Sequence, residues 1–198
     1  DLKLHVLLRP RVGDFCYSDE EFEIIREEVK MFRELGADGV VIGILTPEGE
    51  LDVERMRELV KEAEGMSVTL HRAFDMCIAP QEALEEAVAL GIRTILTSGQ
   101  RNSAAEGADL LELLVELADN RITIMPGAGV SPENLPLLIE QTKAKAFHMT
   151  GKKVTEGRMR YRQPQVSMGS AQMDEYKIIL TDEEQIRRAR KILDGVLA

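Results

Sequence analysis

With 198 residues, 44% of them apolar and 30% charged, the chain is long enough to bury a core as one domain without disulfides or metal staples. This balance, with no low-complexity tract and no apolar run of membrane-spanning length, argues against the disordered, collagenous and membrane classes. The formal net charge of -10 repels a phosphate backbone, so nucleic acid is not expected as a partner, and a metal ion or a small ligand is.

Residues 4–9 form an apolar run with strand character, stopped by Pro10 and Gly13. Ser18 and Glu21 then make a capping box for a helix with Phe22, Ile25, Val29 and Phe32 on one face, ended by Gly36. Residues 39–45 (GVVIGIL) read as a strand buried on both faces, followed by a helix capped near Asp52 that carries Val53, Met56, Val60 and Ala63. The third strand opens at Ser67, and Pro80 starts the next helix, with Ala83, Leu84, Ala87 and Val88 facing inward. Residues 94–97 are the fourth strand, after which Ser103 and Glu106 make a second capping box ahead of Leu110, Leu114 and Leu117.

The fifth strand, 122–125, runs into PGAG and a helix signalled by Ser131 as cap and Pro132 at its first position. Residues 146–149 read as a sixth strand, and 150–173 as a long polar segment without periodicity. A final helix is expected from a capping box of Thr181 and Glu184 through Ile186, Ala189, Leu193 and Val196.

This recurring βα unit is the pattern of an α/β protein with a parallel sheet and covering helices. An open doubly wound sheet gathers its polar groups at one switch point, whereas a barrel points them from every strand end at a common axis. Arg9, Thr46, His71 with Arg72, Thr97 with Ser98, Gly127 and His148 follow successive strands, which favours a (βα) TIM-type barrel. Six of the eight units of a complete barrel are expected in a single, partial domain over residues 1–198.

The densest cluster is SVTLHRAFDMC, residues 67–77, where a strand ends in His71, Arg72, Asp75 and Cys77. Together with LLRPRVGDFCYSDEEF, ILTSGQ, IMPGAGV and AFHMTG, in this order and spacing, it resembles the CutC copper-homeostasis family of TIM-barrel proteins from about Leu4 to Tyr176. The start DLKLHVLL has neither the basic region nor the long apolar core of a signal peptide, so a cytoplasmic protein is expected, and the resemblance implies that it takes part in copper homeostasis. It also implies two further βα units ahead of LLRPR, whose cysteines have been proposed to hold copper in some members. Either this sequence is part of a longer protein that carries them, or a shortened form leaves edge strands at residues 4–9 and 146–149, and with such edges a homo-oligomer is expected.

Three chemistries compete for the rim. Cu(I) prefers soft donors, and Cys16 and Cys77, with His71 or His148, are the expected ligands. A small anionic or phosphorylated metabolite is the alternative: Gly127, Ala128 and Gly129 stand between a strand and a helix start, with Arg9 and Arg72 as nearby charges. In an enzyme of that kind His71 and Asp75 are the expected acid–base pair. The structural alternative is that Arg9, Arg11, Asp14, Arg72 and Asp75 only neutralise one another, and His5, early in its strand, is read as structural.

Overall fold

The computed structural model describes residues 2–166 and 174–197. Strands β1 (His5–Leu7), β2 (Gly39–Ile42), β3 (Ser67–Leu70), β4 (Thr94–Thr97) and β5 (Thr123–Pro126) form one parallel sheet in the order β1-β2-β3-β4-β5. Strand order follows chain order without reversal, so the sheet has no switch point, the feature that defines a doubly wound fold. The architecture is that of a partial (βα) barrel.

Helices α1 (Asp19–Glu34), α2 (Val53–Glu62), α3 (Pro80–Ala89), α4 (Ala108–Ala118) and α5 (Leu135–Thr142) follow the successive strands. The apolar stripe of each helix is buried with one set of strand side chains. Ile25, Val29, Met56, Leu59, Leu84, Leu111 and Leu114 share this core with Val40, Ile42, Val68, Leu70 and Ile95. Strand side chains alternate, so the remaining set faces the concave side: Leu7, Val41 and Thr69 lie in register, as do Leu96 and Met125.

The Ser18 capping box forms as expected, with its hydroxyl accepting from Glu21 N–H and the Glu21 carboxylate accepting from Ser18 N–H. Elsewhere the helix starts move. Ser103 still accepts from Glu106 N–H, but α4 begins at Ala108. Asn134 precedes α5, and Ser131 N–H donates to the Asn134 side chain. Before helix α6 (Glu183–Leu197), Asp182 accepts from Glu184 N–H, which displaces the expected Thr181 cap.

The expected strand over residues 146–149 is corrected to coil, joined to β5 by the bond from His148 N–H to Pro126 C=O. The segment read as aperiodic contains β6 (Lys152–Glu156), paired antiparallel with β7 (Lys177–Thr181). Its residues 167–173 lie outside the described residues. Among the described residues no helix is long and apolar enough to cross a membrane.

Candidate functional site

The concave side of the sheet encloses about 610 Å³. Its wall is built by alternation: His5, Leu7 and Arg9 from β1 and its extension, Val41 from β2, Thr69 and His71 from β3, Leu96 from β4 and Met125 from β5. Lys3, Phe15, Arg72 and His148 complete it. The chain has three histidines, and all of them line this one concavity. Lys3, Arg9 and Arg72 stand on it, Lys3 paired with Asp38 at 2.8 Å and Arg72 with Asp75 at 2.6 Å, and no aspartate or glutamate is among the described residues of the wall itself.

His71 is 4% exposed and ends β3 as the cap of a 3-10 turn, Arg72–Met76. Its Nδ1 accepts from Ala73 N–H at 3.1 Å, which leaves the proton of the neutral ring on Nε2. Nε2 is buried and has no hydrogen-bond partner among the described residues. The ring lies 5.0 Å from that of Phe15, over which the Arg9 guanidinium stacks at 4.7 Å. Burial holds the imidazole down at a pKa of about 4, with the Arg9 charge acting in the same direction. His71 is therefore neutral at physiological pH, and the nitrogen left over is a donor.

The expected His71–Asp75 pair does not form. The Asp75 carboxylate is engaged elsewhere: Arg72 Nε donates to it at 2.6 Å, Thr97 Oγ1 at 2.5 Å, Ser98 N–H at 2.9 Å and Gln100 N–H at 3.2 Å. Arg72 is held in turn, its Nη2 donating to Ser98 Oγ at 2.9 Å, so its guanidinium is fixed at the edge of the concavity with 43% of the side chain exposed. Asp75 positions Arg72 and ties the β3 and β4 strand ends together. The anticipated charge network is two networks, because Arg11 pairs with Glu21 and Asp14, while Arg9 donates to the Gly13 carbonyl.

The glycine loop divides as well. A Cβ on Gly127 would lie 2.6 Å from Leu96 Cδ1 and 3.4 Å from His148 Cβ, so a side chain there would displace the tip of Leu96 beside the concavity. Ala128 and Gly129 take positive φ angles of 69° and 78° and turn the loop toward the β4 side, where Ala128 C=O accepts from Ala104 N–H. They do not line the concavity.

A sequence profile described as the CutC family matches residues 1–153. The chain belongs to the CutC family. A CutC family protein of Chromobacterium violaceum is 45% identical over 194 residues, spanning 98% of this chain and 78% of that protein. A relative from Porphyromonas gingivalis is 43% identical over 196 residues, covering 98% and 79%. Among solved structures, CutC of Streptococcus agalactiae, provisionally assigned there to copper homeostasis, superposes with a TM-score of 0.71 at 35% identity, covering 74% of this chain and 72% of that one. An aldolase, QR15, matches with a TM-score of 0.55 at 14% identity over 74% of this chain and 67% of its own, a likeness of fold alone.

In this CutC-family chain the expected copper ligands are not gathered. Cys77 is buried, accepts from Gln100 Nε2 at 3.6 Å and opens onto a separate depression beside Glu50, Glu82 and Glu86. Burial pushes its thiol up to about 11, away from the thiolate that binds metal. Cys16 is half-buried on the β1–α1 loop, and His148 is on the concave side. Among the described residues no three His, Cys, Asp or Glu side chains are disposed to hold a metal ion. Cys16, Cys77 and His148 therefore do not make a three-ligand site among the described residues. Sequence reasoning missed Lys3, His5, Phe15 and Thr69 as wall residues, although the spacing of His5, Leu7 and Arg9 at every second position was a signal for the first strand.

Proposed function

We propose that the concave face of the sheet binds a small anionic metabolite and acts on it as the site of a barrel enzyme. The observation that supports this reading most is the pair of guanidiniums at the concavity of an acidic chain: Arg9, which has no ion pair among the described residues, and Arg72, held in place by Asp75. A low-dielectric recess carrying one sign of charge concentrates ligands of the other. Arg72, fixed by Asp75 and Ser98, supplies a pre-oriented guanidinium, and the side chains of Leu7, Val41, Leu96 and Met125 give the same wall an apolar part. A ligand-detected screen of phosphorylated and carboxylated metabolites tests it. Binding that weakens with salt and is lost in Arg72→Met is the expected result; a salt-independent hit, or none, would end the reading.

A role in copper homeostasis is the second reading, supported by the name of the Streptococcus agalactiae neighbour and by two free thiols. Direct Cu(I) binding would fall to Cys16 and Cys77, which the geometry does not bring together with His148. Titration of Cu(I) against a competing chelator, before and after replacing both cysteines by serine, tests it, and equal affinity in the two proteins removes these ligands. A cytoplasmic setting belongs to the same reading, supported by the free thiols. Self-association does too, supported by the one-sided pairing of β1 among the described residues, and light scattering of a monomer would count against it.

A further inference from the structure

We propose that His71 reads an uncharged carbonyl oxygen of the ligand through Nε2–H, while Arg9 and Arg72 take its anionic end. This rests on the anion reading above and narrows it to compounds that carry both groups, such as phosphorylated keto or aldehyde metabolites.

The assignment starts from the tautomer. Ala73 N–H occupies the lone pair of Nδ1, so the neutral ring carries its proton on Nε2 and has no second lone pair to offer. That rules out His71, in this state, as the base or as a ligand to a cation through Nε2. What remains is a donor, buried and without a partner among the described residues, on a side chain that belongs to the wall of the concavity. Buried donors are normally satisfied, and an orphan in a recess is the signature of a group waiting for an acceptor.

Depth then separates the two ligand groups. Arg72 keeps 43% of its side chain exposed, whereas His71 is 4% exposed, so the cation stands at the mouth and the neutral donor beneath it. An anion carried down to His71 would leave water for a neutral N–H, which is costly, while a carbonyl loses little and gains a hydrogen bond. The Phe15 ring packs 5.0 Å from the imidazole and borders the same recess.

The test uses two substitutions that divide the imidazole. His71→Asn keeps an acceptor near the Nδ1 position for Ala73 N–H and removes the donor, whereas His71→Gln reaches the Nε2 position with an N–H. Inorganic phosphate and dihydroxyacetone phosphate are the probes. We expect His71→Asn to bind phosphate as the wild type does and dihydroxyacetone phosphate about tenfold more weakly, with His71→Gln recovering most of the loss. Equal binding of dihydroxyacetone phosphate by wild type and His71→Asn, or equal weakening of both probes, overturns the carbonyl assignment and leaves the anion reading standing. Failure of both probes on the wild type overturns the anion reading itself and this inference with it. Long-range proton–nitrogen correlation spectra of the wild type supply an arm independent of ligand and of variant folding: an Nε2–H neutral pattern for His71 between about pH 6 and 8 is expected, and an Nδ1–H or imidazolium pattern overturns the proposal.

Discussion

The imidazole of His71 occupies the space that a side chain on Gly43 would fill: a Cβ built on Gly43 would lie 2.7 Å from both Cε1 and Nδ1 of that ring. Gly43 continues β2 on the concave side, one strand away from His71, so an absent side chain on one strand makes room for a functional one on the next.

Gly43→Ala is therefore expected to push the ring out of its seat and to strain the bond from Ala73 N–H. Overpacking of this kind costs about 1–3 kcal/mol, readable as a lower urea midpoint with an unchanged m-value. A midpoint equal to wild type would mean that the ring relaxes freely.

Asp75→Asn leaves the shape but replaces an acceptor-only carboxylate that serves Arg72, Thr97, Ser98 and Gln100. The Asp75 side chain is 6% exposed, and disrupting a buried, multiply bonded charge costs on the order of 3 kcal/mol, discounted here because Arg72 is partly in water. The same variant frees Arg72, so ligand affinity is expected to fall along with the thermal midpoint. Loss of stability with full affinity would show that Arg72 needs no positioning.

The pH dependence of stability follows from His71, whose pKa is lowered to about 4 in the fold. Below its ordinary value near 6.5 the unfolded chain takes up a proton that the folded chain refuses. Stability contributed by the neutral ring is thus complete above about pH 6.5 and declines toward pH 4, by about 3 kcal/mol over the whole window. Urea midpoints at about pH 5 and 7 check this, with His71→Asn expected to flatten the slope; an equal slope in the variant would place the titration elsewhere.

Thiol reactivity should separate the two cysteines. Cys77 is buried with its thiol pushed up to about 11, whereas Cys16 is half-buried on a loop. Limited alkylation near pH 8, followed by mass spectrometry, is expected to label Cys16 first. Faster labelling of Cys77 would contradict its burial.

The sequence by itself determined the order of the βα units, the parallel sheet and the Ser18 cap, because these depend on neighbours within a few residues and on alternation along one strand. The motif content of residues 67–77 was equally plain, and so was the family. Only the tertiary structure decided how those residues divide. The strand ends bring Asp75 against Thr97 and Ser98, more than twenty positions away, and that satisfies a carboxylate which spacing alone had given to His71. They also close His5, His71 and His148 around one recess while leaving Cys77 outside it. Partners of a side chain across strands are set by register and by which glycine leaves room, and neither can be read from the local run of residues that carries the side chain.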